Sequence, residues 1–198
     1  MRRATDRDAL VAGGNKLADR LWGFAGAWEP GASTAVSGEA AGKVLRTLRA
    51  NFAYTVVDGS AGYSDHALAA FDLSDVICLL TSLDVVGVRH LSTSLQTLQS
   101  LGIPRERFLV ILNRADSKVG LGADEVERVS KIRVDARIPS SRLVPTSLNR
   151  GRPVCIEERK SDVARSIFSL ADKLMVWAPL AAPSESSGGL PWSRRAFG

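Results

Sequence analysis

The first segment with chemical potential runs from Val56 to Gly62 and reads Val-Val-Asp-Gly-Ser-Ala-Gly. Its aspartate, Asp58, follows an apolar run and precedes a loop of small residues. A carboxylate in this position can orient a water on a Mg²⁺ ion bound to phosphates, and Gly62 allows a backbone N–H group to approach a phosphate. An N-capping aspartate followed by a tight turn explains the same pattern equally well. The segment alone therefore leaves both interpretations open.

The second segment, Val110–Asp116, places Asn113 at the end of another apolar run. An asparagine amide offers a donor and an acceptor side by side, and this pair matches the N6/N7 edge of adenine. Asparagine is also a common turn residue after a strand. Two further loops, Ile138-Pro139-Ser140-Ser141 and Ser147–Pro153, read as turns when each is taken alone.

Strands are needed to bring these residues together, and the sequence predicts four of them. The candidates are 54–58, 75–81, 107–113 and 132–138. The first three are apolar almost throughout, as expected for strands buried on both faces, whereas the fourth alternates and belongs nearer an edge. Ligands bind at the carboxyl ends of parallel strands. We therefore expect Asp58, Asn113 and Pro139 to converge at one edge of the sheet.

Helical periodicity separates the strand candidates. The clearest helix is 87–101, a shorter one covers 41–48, and a long one covers 163–174 after Ser161, a suitable N-cap. The alternation predicts an α/β domain with three α/β/α layers and a mostly parallel sheet. We assign this domain to residues 36–177. Residues 1–35 are predicted to be an irregular lead with a short helical pattern around Leu17 and Leu21, and 178–198 a flexible tail.

The composition is ordinary for a globular protein, with 45% hydrophobic and 24% charged residues. No apolar run approaches the roughly 20 residues that span a bilayer, and no signal peptide opens the sequence, so we predict a cytoplasmic location. Cys78 and Cys155 form no metal-binding pattern, and Cys78 is predicted to lie in the core. The net charge of +5 is compatible with weak contacts to DNA or an anionic membrane, although a solvated basic surface explains it as well.

Taken in order, these segments resemble the MinD/ParA superfamily of deviant P-loop ATPases, and most of all its CpaE/TadZ pilus-assembly branch. The resemblance covers roughly residues 41–175. It rests on four segments: Asp58-Gly-Ser-Ala-Gly62, Leu112-Asn113-Arg114, Ile138-Pro139-Ser140-Ser141 and Asn149-Arg-Gly151-Arg-Pro153.

This resemblance implies a P-loop NTPase-like fold and a family that uses ATP and Mg²⁺. It implies that Asp58 is the Walker B aspartate, which holds Mg²⁺ indirectly through water, and that Gly62 is a switch glycine. The implied adenine wall consists of Asn113, Arg114, Pro139 and Ser140. The implied partners are proteins of a pilus or secretion apparatus, or a second copy of the chain, at the inner face of the membrane.

The chain departs from the family pattern in the loop that grips phosphate. No Lys-Gly-Gly-x-Gly-Lys-Thr segment is present in the 198 residues. The most similar segment, Gly38–Val44, is one residue short and has valine in place of Ser/Thr. Ser60 and Ser141 also replace residues that are common in the family. We therefore predict a truncated relative that acts through partners, binds ATP and Mg²⁺ weakly or not at all, and does not hydrolyse ATP by itself.

Three other interpretations remain open from the sequence. An active nucleotide switch of the ATPase or GTPase kind is suggested by Asn113-Arg-Ala-Asp116, which resembles a guanine-binding motif. A ParA-like DNA-associated module would use basic residues for phosphate contacts, namely Lys131, Arg133, Arg137, Arg142, Arg150 and Arg152. The tail segment 190–197 combines aromatic residues with arginines and could contact an anionic membrane.

Overall fold

The computed structural model describes residues 11–26, 36–59, 62–116, 122–131 and 133–177. The strands are β1 (Asn15–Ala18), β2 (Leu21–Gly23), β3 (Ile77–Thr81), β4 (Phe108–Asn113) and β5 (Ala136–Ile138). The α-helices are α1 (Gly38–Asn51), α2 (Asp65–Leu73), α3 (Val85–Ser100), α4 (Ala123–Ser130), α5 (Leu143–Asn149), α6 (Val154–Glu157) and α7 (Asp162–Trp177). The predicted tail 178–198 lies outside the described residues. None of the described helices is long and apolar enough to cross a membrane.

The central element is a parallel sheet in the order β3-β4-β5. Ile77 lies opposite Phe108, and Asn113 at the end of β4 lies opposite Ile138. Helices alternate with these strands along the chain, because parallel neighbours must be joined by a connection that crosses back over the sheet. The predicted α/β fold with a parallel sheet is therefore confirmed, and β5 is at the edge of the sheet as its alternating sequence indicated.

One face of the sheet carries the main hydrophobic core. Every second residue of β4 packs there with the apolar stripe of α3 and with α4; the cluster includes Phe108, Val110, Leu112, Val88, Leu91, Leu95, Leu98 and Val126. The alternating residues of β4, Leu109 and Ile111, are also buried, with exposures of 0% and 2%. Thus β4 is covered on both faces, which explains its uninterrupted apolar sequence.

Side-chain caps fix where two of the long helices begin. Asp84 Oδ1 accepts a hydrogen bond of 2.7 Å from the Gly87 N–H group at the start of α3. Ser161 Oγ accepts one of 3.3 Å from Ala164 N–H at the start of α7. The N-cap predicted at Ser161 is confirmed. The carboxylate and hydroxyl each satisfy an N–H group that has no partner within the helix.

Arg107 ties the sheet to α2. Its guanidinium group donates to the backbone carbonyls of Phe71 and Ser74, and more weakly to that of Asp72 at 3.4 Å. These carbonyls lie at the carboxyl end of α2, where the last turn leaves acceptors without partners in the helix. The arginine therefore holds the α2 terminus against the beginning of β4.

The strand predicted at 54–58 is absent. Residues 53–59 lack regular secondary structure and are exposed, and Val56 has 93% of its surface accessible. A β-branched sequence favours extended backbone, but a strand forms only where a neighbouring strand completes its hydrogen bonds. Within the described residues no strand pairs with this segment, so the prediction of a buried strand is wrong.

The predicted burial of β3 on both faces is also wrong. Ile77 and Thr81 are buried, whereas Cys78 and Leu80 are exposed. Cys78 and Leu80 lie beside Leu109 and Ile111 in the register of the sheet. The second face of the sheet is therefore covered over β4 but not over β3, and Cys78 is not a core residue.

The lead segment forms a β-hairpin instead of the short helical pattern predicted around Leu17 and Leu21. Strands β1 and β2 pair antiparallel. The ring of Trp22 in β2 lies 5.8 Å from that of Phe52, and Phe24 lies 6.0 Å from the same ring. Aromatic packing on the end of α1 stabilises the hairpin, an interaction that the four-residue spacing of the two leucines does not reveal.

Candidate functional site

The loops that follow β4 and β5 meet at the carboxyl edge of the sheet. Ala115 N–H donates to Ile138 O at 3.0 Å, and Ser140 N–H donates to Asp116 Oδ1 at 2.6 Å. Asn113 at the end of β4 is paired with Ile138 at the end of β5, and Pro139 is the next residue after Ile138. The structure thus brings the predicted residues Asn113, Arg114, Pro139 and Ser140 into one loop cluster. We call these four residues and Asp116 the carboxyl-edge cluster.

Asn113 serves its own turn in this cluster. Its side-chain Oδ1 accepts a hydrogen bond of 3.0 Å from the Arg114 N–H group. Arg114 has φ of 54°, a left-handed conformation that non-glycine residues adopt infrequently. The turn therefore uses one acceptor position of the amide, and the amide nitrogen and the second lone pair of Oδ1 are what Asn113 could offer to a base.

Asp116 helps to hold the two loops together, although its sequence position indicated a role only in the guanine-motif alternative. Its carboxylate accepts from both the backbone N–H and the side chain of Ser140, and these bonds lower the pKa of Asp116 below its usual range. The available sequence signal was an aspartate shortly after a strand end, the position in which Asx turns and loop clasps occur.

Asp116→Asn should make the stability of the fold less dependent on pH in the acidic range. Because the folded-state pKa of Asp116 is lowered, its stabilising effect is complete above the unfolded-state pKa and is lost as pH falls through the folded-state pKa. We expect the urea midpoint of the parent to fall more than that of Asp116→Asn between pH 6 and pH 3. Asp172→Asn, on the exposed side of α7, is the control and should retain the parental pH dependence. If the urea midpoints of the parent and Asp116→Asn changed equally with pH, the stabilising contact between Asp116 and Ser140 would be contradicted.

The segment 149–153, singled out by the family resemblance, is built by a second set of contacts. Arg152 N–H donates to Ser147 O at 3.0 Å, and Gly151 has φ of 65°, a conformation that suits glycine. Arg150 forms an ion pair of 2.8 Å with Glu157. The hydrogen bond from Arg150 lowers the pKa of Glu157, and a smaller contribution comes from Ser147. These contacts join α5 to α6 and give the loop a defined shape.

Asp58 and Gly62 do not join the cluster through any observed contact. The Asp58 carboxylate is exposed and has no hydrogen bond or ion pair in the described part of the chain. Gly62 has φ of 124° with open space around its Cα, so a side chain there would be strained by the backbone and not by a neighbour. Since the strand expected to position Asp58 is missing, the predicted convergence is observed for Asn113 and Pro139 only.

Within the described residues, the segment expected to bind phosphate is helical and lies apart from the carboxyl-edge cluster in sequence. Gly38–Val44, the segment whose sequence is most similar to a phosphate loop, lies on α1. Its Lys43 forms an ion pair with Glu39 at 3.1 Å. Two N–H groups of its first turn are engaged, since Ala40 N–H donates to Ser37 Oγ and Ala41 N–H to Ser37 O. A phosphate cradle needs such groups free and converging. Among the residues that the structure covers, no group of three or more His, Cys, Asp or Glu side chains could hold a metal ion.

The arrangement defines a class of fold, a parallel α/β sheet whose carboxyl-edge loops carry the polar residues. No protein-family model matches the sequence, and the search of curated proteins also gives no match. Solved structures do match. A ParA family ATPase from Chlorobium tepidum superimposes with a TM-score of 0.80 at 21% identity, over 84% of this chain and 70% of that protein.

Cell division proteins share the same fold. MinD in the MinC:MinD complex of Aquifex aeolicus matches with a TM-score of 0.63 at 20% identity, over 78% of this chain and 64% of that chain. MinD of Pyrococcus horikoshii, complexed with Mg-ADP, matches with a TM-score of 0.65 at 19% identity, over 90% of this chain and 78% of that one. The chain therefore has the fold of ParA and MinD ATPases, and it spans about two thirds of the Aquifex protein.

Proposed function

We propose that this chain is a MinD/ParA-type protein of the CpaE/TadZ kind, which positions or assembles a pilus or secretion apparatus through protein contacts and does not hydrolyse ATP by itself. The observation that carries the proposal is the carboxyl-edge cluster. It places Asn113-Arg114 beside Pro139-Ser140 on a sheet whose fold is that of ParA and MinD. In this proposal residues 36–177 form the functional domain, and the protein works in the cytoplasm at the inner face of the membrane.

Two of the structural neighbours support the kind of partner and ligand that the proposal names. The Aquifex MinD structure is a complex with a second protein, MinC, and the Pyrococcus horikoshii MinD structure contains Mg-ADP. We propose by analogy that this chain binds protein partners or a second copy of itself. We also propose that it keeps the positions of a nucleotide site, with Asn113, Arg114, Pro139 and Ser140 as the adenine wall.

The proposed lack of hydrolysis is based on the residues expected to contact the phosphates. Phosphate affinity in P-loop proteins depends on a nest of free backbone N–H groups and a lysine, and transfer requires Mg²⁺ bridging the phosphate oxygens. Here Lys43 lies on a helix in an ion pair with Glu39. In this proposal Asp58 occupies the Walker B position and Gly62 the switch-glycine position, but Asp58 holds no Mg²⁺ because phosphate binding is weak. Loss of about 4 kcal/mol of phosphate contacts weakens binding roughly a thousandfold.

Calorimetry with ATP and Mg²⁺, together with phosphate release at high protein concentration, tests this expectation. We expect a Kd on the order of a millimolar or weaker and no turnover above background. Asp58→Ala should behave like the parent in both measurements. Micromolar binding, or turnover that Asp58→Ala abolishes, would instead support an active nucleotide switch.

The assembly role is tested in the native host. Deletion of the gene should reduce assembled pili or secreted protein, and a plasmid carrying either the parent or Asp58→Ala should restore them. Normal assembly after deletion would contradict the role. Rescue by the parent alone would show that Asp58 acts in the cell. Binding to nonspecific duplex DNA that weakens steeply with salt would favour the DNA-associated alternative.

A further inference from the structure

A groove of about 400 Å³ runs between the edge strand β5 and helix α7. This volume is within the range of ordinary ligand sites. The groove combines cationic, carboxylate, hydroxyl and apolar side chains, and it is lined by Asp135, Ala136, Arg137, Asp162, Arg165, Ser166, Ser169, Leu170 and Lys173. It shares no lining residue with the carboxyl-edge cluster and is therefore a separate surface.

The two carboxylates of the groove already have partners. Asp135 Oδ2 accepts a hydrogen bond of 2.8 Å from the Val110 N–H group of β4. Asp162 forms an ion pair with Arg165, one helical turn further along α7. Since both negative charges are engaged with donors of the protein, they offer little attraction to a bound cation.

The donors of the groove, in contrast, are only partly used. Lys173 Nζ donates to Asp135 O, and two of its three hydrogens remain. Within the described part of the chain, neither the Arg137 guanidinium group nor the Ser169 hydroxyl has a hydrogen-bond or ion-pair partner. Unused donors with two positive charges favour carboxylate or phosphate groups.

The shape of the groove favours a linear ligand. Between Asp162 and Lys173 the helix rises about 16 Å, a length that accommodates about five residues of extended chain. Ala136 and Leu170 add apolar surface to the lining of the groove. Because β5 is an edge strand, an extended peptide can also lie along it, as in other complexes that add a strand to a sheet.

We propose that the β5–α7 groove binds an extended acidic peptide of a partner protein, in which carboxylate side chains alternate with apolar ones. The carboxylates contact Arg137 and Lys173, and the apolar side chains lie on Ala136 and Leu170. This inference goes beyond the proposed function, because it names a surface and a ligand chemistry that the nucleotide-site positions do not involve.

Fluorescence anisotropy with a labelled Glu-Val-Glu-Val-Glu-Val peptide tests the proposal on the full chain. We expect a Kd on the order of 10–100 µM at low salt, and binding at least about tenfold weaker for the matched Gln-Val-Gln-Val-Gln-Val peptide. The double variant Arg137→Gln/Lys173→Gln should weaken binding of the acidic peptide at least about tenfold. Arg46→Gln/Arg89→Gln, which removes the same charge from α1 and α3, should change it less than about twofold.

The single variant Arg137→Gln separates loss of binding from loss of folding. The Arg137 side chain is exposed and makes no hydrogen bond in the described part of the chain, so its replacement should not destabilise the sheet. The variant should retain the parental melting temperature and still weaken the peptide several-fold. Equal weakening by the two double variants would overturn the proposal and indicate a nonspecific effect of net charge. The proposal is also overturned if the glutamine peptide binds as well as the acidic one, or if neither peptide binds. Displacement of the acidic peptide by inorganic phosphate at about 10 µM would overturn it as well, since a free anion would then be the ligand.

Discussion

Leu98→Ala is expected to lower the free energy of unfolding by about 2–5 kcal/mol, the range observed for leucine truncations in cores. Leu98 has 1% of its surface exposed and belongs to the cluster that joins α3 to the sheet. Alanine removes buried apolar surface and leaves a cavity that surrounding side chains fill only in part. Urea denaturation followed by circular dichroism measures the change.

Leu148→Ala provides the matched control for this prediction. Leu148 is the same residue type on another helix, α5, but 70% of its surface is exposed. We expect its substitution to change the free energy of unfolding by less than about 0.5 kcal/mol. If the two alanine variants were equally stable, α3 would not be packed against β4 as described.

Arg107→Met is expected to cost about 2–4 kcal/mol, because it removes charge-assisted hydrogen bonds and leaves carbonyl groups of a helix end without a donor. Methionine retains the apolar stem but cannot donate to Phe71 O and Ser74 O. The loss should free the end of α2 first. Hydrogen exchange at the amides of residues 68–74 should therefore accelerate more than exchange in α3, alongside a lower urea midpoint.

Arg105→Met is the control for the hydrogen bonds of Arg107. Arg105 lies in the same short turn before β4, and its side chain makes no hydrogen bond in the described part of the chain. Its effect on unfolding should stay below about 0.5 kcal/mol. Equal effects of the two methionine variants would mean that the guanidinium contacts of Arg107 contribute nothing specific.

The sequence predicted those parts of the fold in which local pattern and tertiary environment agree. The apolar run 108–112 is buried on both faces, and the leucine stripe of α3 faces the core as its spacing indicates. The strand predicted at 54–58 is absent because a strand also requires a neighbour, and residue type carries no information about which neighbour is present. The predicted burial of Cys78 was wrong for a related reason. Hydrophobicity shows that a residue can be buried, but cover must come from another element.

The site was predictable to the extent that topology determines it. Parallel strands present their carboxyl ends at one edge, so Asn113 and Pro139 could be placed together before their register was known. The clasp between Asp116 and Ser140 depends on loop geometry at a distance of 24 residues, and no local pattern encodes it. The β5–α7 groove was equally hidden, because Arg137 and Lys173 are 36 positions apart and look like ordinary surface charges.

The exposed side of β3 has a consequence for how the purified protein behaves in solution. In the described sheet β3 is the edge strand opposite β5. Natural edge strands usually discourage contact with other molecules by means of lysine, proline or a bulge. The β3 sequence Ile-Cys-Leu-Leu-Thr has no charge or proline, and Cys78 and Leu80 face outward. Repulsion between molecules must then come from the overall charge of +5. We therefore expect the solubility of this chain to fall as ionic strength rises, because salt screens the repulsion that opposes sheet-to-sheet association.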